Sequence, residues 1–498
     1  MTIIDNDLLS IQKARILAEN ALEGQKRLAT FPQEQLDEIV ESVARAVVPH
    51  VQTLAAMSCE ETEYGRWEDK CLKNSFVCED LPMRMRGMRC VGIIGHDRAS
   101  GLAEIGVPVG VIAALCPATS PVSTTIYKTL IAIKSGNAIV FSPHPRAIRS
   151  MGRVLDIMMD AAASAGLPEG CLSWLDTVTH SGTLELMGHR ATSLILNTGV
   201  SSLLSAAYAA RKPVIYGGMG NGPAFIERTA DIEQAVRDII ASKTFDNGIV
   251  SSAEQSIVVD GCIDREVRQA LVNNGAWFMT EEQSRQFTSM FFCPNGKPNQ
   301  RMIGLDAQTL ALRAGFSVPD HVKVLVAGRS HVSETDPYAG ELLCPVLAYY
   351  VEDDWMHACE KCIELLIDEG TGHTLVIHSR DENVICQFAL KKPVGRVLVN
   401  TPGSFGGMGF TTSLFPSMTL GSGSAGEGIT SDNVSPMNLI YIRKVGYGVR
   451  RMDAMENYRS KVKYPSTGEL PRKEDESSKS LQTLHRILKE AIRVMDRP

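Results

Sequence analysis

The stretch Lys243-Thr-Phe-Asp-Asn-Gly-Ile-Val-Ser-Ser-Ala-Glu-Gln255 turns at Asn247-Gly248 and runs into the strand-like segment Ser256-Ile-Val-Val-Asp260. A side chain just past such a turn is held outside the core, where it can meet a ligand. Ser251 and Ser252 are the side chains so placed, with a plain turn residue as the alternative reading. Three other loops carry hydroxyls or amides ahead of a helix start: Cys116-Pro-Ala-Thr-Ser-Pro-Val-Ser-Thr124, Ser142-Pro-His-Pro145 and Asn197-Thr-Gly-Val-Ser-Ser202. Unpaired N–H groups and the helix dipole at such positions can hold a phosphate, although an ordinary Ser/Thr cap fits any one of them equally. The cluster Gly217-Gly-Met-Gly-Asn-Gly222 is not a dinucleotide fingerprint, because its third glycine is misplaced and Pro223-Ala-Phe-Ile226 continues as extended chain. The only CxxC, Cys359 to Cys362, lies in a helical pattern with no second CxxC or paired histidine, and reads as a core-and-surface pair rather than a metal site.

These loops must be positioned by the elements around them. Residues 7–57 carry apolar positions at helical spacing and predict two or three helices, and 88–106 predicts a glycine-punctuated hairpin. From there strands at 110–115, 138–141, 172–175, 193–196 and 213–216 alternate with helices at 124–134, 146–165, 183–188 and 201–211. Continuous apolar strands between helices demand a parallel sheet covered on both faces, a doubly wound α/β domain that binds ligands at the carboxyl ends of its strands. A second α/β region follows from 256 to about 420, with helices at 264–273, 306–314 and 355–366 and strands at 322–326, 346–350 and 374–377. Two such lobes imply a cleft between them. A late strand at 438–443 could pair with the hairpin or with another subunit. The expected division is 1–235 for a cofactor-binding domain, 236–425 for a catalytic domain, 426–455 for an oligomerisation strand region, 456–478 for a linker and 479–498 for an amphipathic helix.

Composition narrows the class. The chain has 498 residues, 44% apolar and 21% charged, and a formal net charge of −7, which offers no basic face to nucleic acid or to an anionic membrane. No run of about 18 apolar residues occurs and the amino terminus lacks a signal-peptide pattern, so a cytoplasmic location and small-molecule partners are expected. Twelve scattered cysteines read as free thiols.

The nucleophile stretch, in its wording, resembles that of CoA-acylating aldehyde dehydrogenases, including the aldehyde half of the bifunctional aldehyde-alcohol dehydrogenases and the propionaldehyde and acetaldehyde enzymes of bacterial microcompartments. The resemblance extends over about 8–450 through Gly110-Val-Ile-Ala-Ala114, Pro117-Ala-Thr-Ser-Pro-Val-Ser-Thr124, Asn137-Ala-Ile-Val-Phe-Ser-Pro-His-Pro-Arg146, Phe245-Asp-Asn-Gly248, Glu254-Gln255, Gly340-Glu-Leu-Leu-Cys-Pro345, Gly370-Thr-Gly-His-Thr374 and Asn400-Thr-Pro402. It implies an aldehyde dehydrogenase-like α/β fold with a small β oligomerisation flap, and a homodimer or homotetramer. It also implies a two-stage reaction with NAD and coenzyme A: a thiolate adds to the aldehyde, hydride leaves to nicotinamide, and CoA attacks the thioester. In the roles it implies, Ser251 stands at the catalytic Cys, Ser120 at an oxyanion-donating Asn, and His373 at the acceptor of the CoA thiol proton. Glu341 would hold the nicotinamide ribose, and Thr119, Ser142, Pro143, His144, Thr198, Gly199, Gly217 and Gly218 would line the cofactor.

Two departures matter. A serine lacks the thiol's partial ionisation near neutral pH, so the chain is expected to be inactive or weak. The unaltered wording around Ser251 favours an inactivating exchange at that position over divergence to a silent protein. Ser120 shortens the oxyanion donor. No carboxylate lies in the segment 214–224, where hydrolytic aldehyde dehydrogenases carry a general base, which favours transfer to CoA over hydrolysis. A hydrolytic enzyme and a catalytically silent assembly protein remain the alternatives, as does NADP for NAD. Leu481, Leu484, Leu488, Ile492 and Met495 form an apolar stripe after the polar linker. It resembles an encapsulation peptide that docks on a microcompartment shell protein, with a helix folded back on its own subunit as the alternative.

Overall fold

The computed structural model describes residues 5–293, 298–333, 336–368 and 371–461, with isolated positions at 483, 486 and 489. Four helices open the chain: Asn6–Leu28, Gln33–Val47, Val51–Thr62 and Trp67–Met85. The fourth was not expected, because its buried face mixes Phe76, Val77, Leu81 and Met85 with Lys70, Lys73 and Asn74 and so hides the apolar stripe. Two strands follow, β1 (Gly92–Asp97) and β2 (Leu102–Pro108), as the glycine-punctuated segment predicts.

The first parallel sheet contains β3 (Val111–Leu115), β4 (Ala138–Ser142), β5 (Leu172–Trp174), β6 (Thr192–Thr198) and β7 (Val214–Gly217) in the order β5-β4-β3-β6-β7. Helices Pro121–Lys134, Ile148–Ser164 and His180–Gly188 separate its strands. The chain first steps from β3 to β4 and β5, then returns to place β6 on the other side of β3. That reversal opens a crevice at the carboxyl ends of β3 and β6, the usual ligand position in such sheets. Lys128 closes its base: its Nζ donates to Leu115 O at 2.5 Å and Leu196 O at 2.9 Å.

The second sheet holds β8 (Gly222–Ile226), β9 (Glu254–Asp260), β10 (Ala276–Phe278), β11 (Val324–Gly328), β12 (Val346–Glu352), β13 (Gly372–His378) and β14 (Val394–Val399). Its order is β10-β11-β12-β9-β8-β13-β14, parallel throughout. Because β8 pairs with β9 and β13, the chain has crossed into this sheet before residue 235, earlier than the expected boundary. Late in the chain β15 (Ile440–Gly446) joins β2 in a three-stranded sheet ordered β1-β2-β15, and Lys444 pairs with Glu104 across it.

Residues 97–102 and 445–461 belong to a separate small unit. Within it Tyr447 N–H donates to Gly101 O at 2.8 Å and Asp97 Oδ1 accepts from Ala99 N at 2.9 Å. The linker expected from 456 is helical at its start, as part of the helix Asp453–Lys461. Thr483, Arg486 and Lys489 have helical backbone and are exposed, and the rest of the expected linker and terminal helix lies outside the described residues. No helix among the described residues is long and apolar enough to cross a membrane, and no group of His, Cys, Asp or Glu among them could hold a metal ion. Cys359 and Cys362 are both buried, so the expected core-and-surface pair is a core pair packed between helix and sheet.

Candidate active site

The nucleophile stretch is shaped by three successive left-handed residues, Asp246 (φ 49°), Asn247 (φ 52°) and Gly248 (φ 73°). Each non-glycine residue in that region costs about 1–2 kcal/mol, and the surroundings hold them there. Asn247 Nδ2 donates to Gly304 O at 2.8 Å. Asp246 is fully buried and receives Lys73 Nζ at 2.5 Å, Lys70 Nζ at 3.1 Å and Arg66 N at 2.7 Å. Burial works against its charge, yet the two lysines and these hydrogen bonds keep its pKa below the ordinary carboxylate value. At Gly248 a Cβ would lie 2.8 Å from Cys344 O, so only glycine fits the bend.

After the bend Ser251 is half-buried and Ser252 is buried, its Oγ 3.4 Å from Ser404 O. The crossing between the sheets packs directly on this loop: a Cβ on Gly220 would sit 1.5 Å from Ser251 O. Gly220 N also donates to Glu341 Oε1 at 3.0 Å. Behind the loop Gln255 Oε1 accepts from Lys243 Nζ at 2.7 Å and Leu342 N at 3.2 Å, tying the nucleophile and Glu341 segments together. Glu254, also wholly buried, accepts from Gly403 N at 2.7 Å, and burial pushes its pKa up to about 7.

Ser251 borders a cavity of about 250 Å³. The cavity lies between the carboxyl ends of β3, β6 and β7 and the amino ends of β9, β12 and β13. Of the sequence-predicted residues, Thr119, Ser120, His144, Thr198, Gly199, Gly217, Gly218, Ser251, Glu341 and His373 all line it. Ser142 and Pro143 do not: both are buried, and the Ser142 hydroxyl pairs with Thr183 Oγ1 at 2.8 Å, so of the second of the three loops His144 reaches the cavity. His144 Nδ1 accepts from Arg146 N at 3.1 Å, and burial together with Arg146 lowers its pKa. His373 is almost wholly buried, with Nδ1 3.0 Å from Thr374 Oγ1. Burial first, and Arg396 second, depress its pKa well below the ordinary value, which disfavours the charged imidazolium. Met219, Ile249, Ile303, Leu343 and Met418 supply an apolar lining that sequence reasoning missed, as it missed Tyr64.

The lining fits an extended polar cofactor. Gly199 (φ 65°), Gly217 and Gly218 present bare backbone along one wall, and the Thr124 hydroxyl is buried there without a partner. Residues 5–289 match the model of the aldehyde dehydrogenase family. The chain belongs to that family. Among its relatives, the bifunctional aldehyde-alcohol dehydrogenase of Escherichia coli is 36% identical over 448 residues, covering 89% of this chain and 50% of that one. The chain thus spans about half the length of the first curated relatives it matches. An acetylating aldehyde dehydrogenase from Geobacillus thermoglucosidasius is 42% identical with a TM-score of 0.88, covering 90% of this chain and 99% of that one. A propionaldehyde dehydrogenase of the Clostridium phytofermentans fucose-utilisation microcompartment is 28% identical with a TM-score of 0.79, covering 86% and 96%. The resemblance read from the sequence to acylating members of the family, and the α/β fold it implied, are both borne out.

Proposed function

We propose that this aldehyde dehydrogenase is built to convert a small aldehyde to its acyl-CoA, with hydride transfer to NAD and a covalent link through residue 251. One observation carries the preference for CoA over water: Glu341 is the only carboxylate among the described residues that line the cavity, and one of its oxygens already accepts from Gly220. Water there has no uncommitted carboxylate beside Ser251 to serve as its base, whereas CoA brings its own nucleophile.

In this reading Thr198, Gly199, Gly217 and Gly218 hold the cofactor phosphates and Glu341 the ribose hydroxyls. The nicotinamide, when bound, supplies a hydride acceptor. The apolar wall of Met219, Ile249 and Leu343 takes the aldehyde chain, and Ser120, at the start of helix Pro121–Lys134, faces the carbonyl oxygen. Neutral His373 receives the thiol proton of CoA. With serine at 251 the first step lacks a thiolate, and the chain turns over weakly. The test is Ser251→Cys: aldehyde-dependent NADH formation that requires CoA is expected, and CoA-independent release of free acid would overturn the acylating assignment. Ser251 itself favours a second reading, a silent protein that keeps the fold for its surfaces; binding of NAD and CoA by Ser251→Cys without any turnover would establish it.

The same reading includes a homodimer or homotetramer built on the β1-β2-β15 sheet, and a terminal helix that directs the chain into a bacterial microcompartment. The exposed Ile93, Tyr441 and Ile442 on that sheet support the first. The apolar stripe from Leu481 to Met495 and the microcompartment relative support the second.

A further inference from the structure

Ser120 caps nothing. It precedes helix Pro121–Lys134 without a side-chain bond to that helix, it lines the cavity, and it is 9% exposed. Its Oγ accepts from Lys73 Nζ at 2.6 Å, and among the described residues its own O–H has no acceptor. Lys73 reaches it from helix Trp67–Met85, wholly buried, with a second bond to Asp246, while Lys70 beside it donates to Thr119 O at 2.8 Å. A hydroxyl has one proton and two lone pairs. When an ammonium group occupies a lone pair, the proton is left to point elsewhere and becomes a stronger donor.

We propose that Lys73 is a positioning residue that turns the Ser120 hydroxyl into the cavity as the oxyanion donor. This deepens the acylating reading and rests on it. As the nucleophile bonds to the aldehyde carbon, the carbonyl π pair moves onto oxygen, and Ser120 donates a hydrogen bond to it without giving up its proton. The bond is released as the carbonyl re-forms. A serine is too short and too freely rotating to do this alone. An asparagine carries its own N–H donors and needs no such cation.

That difference supplies the test, made in the Ser251→Cys form with NADH formation as the readout. Lys73→Met and Ser120→Ala are each expected to lower kcat about 100-fold with little change in KM for the aldehyde, and the pair together to lose no more than either alone. In a Ser120→Asn background Lys73→Met is expected to cost only a few-fold. Because Lys73→Met leaves Asp246 with Lys70 as its one remaining lysine, the same comparison is made with Lys73→Met/Asp246→Asn, which removes the buried carboxylate charge that could otherwise impair folding. Equal losses in the Ser120 and Ser120→Asn backgrounds would overturn the proposal and leave Lys73 only a structural partner of Asp246. A Ser251→Cys parent without CoA-dependent turnover would instead overturn the acylating reading and this inference with it.

Discussion

Single residues at this site differ sharply in what betrays them. Ser251, Glu341 and His373 sit in distinctive strings, and their types announce their chemistry. Lys70 and Lys73 were invisible, because lysines at helical spacing read as a solvated face; they are buried here by a carboxylate, Asp246, more than 170 residues away in sequence. Burial also sets a pH dependence. Glu254 has its pKa raised by desolvation from 4.5 to about 7, so the folded chain holds that proton more tightly than the unfolded one. Its contribution to stability is therefore fully present below pH 4.5 and is lost as pH rises through about 7. Glu254→Gln, which keeps the shape and removes the charge, is expected to melt several degrees above the parent at pH 8, with the gap narrowing toward pH 5. Thermal melts across that range check it, and a gap that widened in acid would refute it.

At the level of elements, the strands of both sheets were legible wherever they are buried on both faces, since β3, β4 and β9 are unbroken runs of buried residues. What escaped was short or half-exposed: the three-residue β10 and the mixed-burial β14. The crossing between β7 and β8 could be read as extended but not as a wall of the site, because nothing in a glycine run names what packs against it. Gly220→Ala is the sharpest probe of that contact. The added carbon would lie 1.5 Å from a backbone oxygen, which cannot swing aside as a side chain could. Overpacking of this kind costs about 1–3 kcal/mol, so a lowered melting temperature is expected, together with loss of turnover in the Ser251→Cys form. Activity surviving at parental level would show that the loop yields without harm.

On the scale of the whole molecule, the sequence foretold two α/β regions but placed the passage between them after residue 235, where the chain in fact crosses before β8 at 222. The hydrophobic pattern cannot locate such a crossing, because β7 and β8 are equally apolar and differ only in which sheet they join. The exposed apolar side chains of the β1-β2-β15 sheet leave an edge that invites pairing, and light scattering at micromolar concentration is expected to give the mass of a dimer or larger. A monomer would contradict it. For the terminal stripe, residues 464–498 fused to a reporter are expected to enter shells, and a reporter that stayed diffuse in shell-forming cells would exclude that role.

The β7–β8 passage carries one more implication. Gly217 and Gly218, which line the cavity, and Gly220, which packs on Ser251 O and donates to Glu341, lie on a single short span. On the proposed function, a cofactor bound against Gly217 and Gly218 is therefore expected to bear, through Gly220, on the loop that carries Ser251.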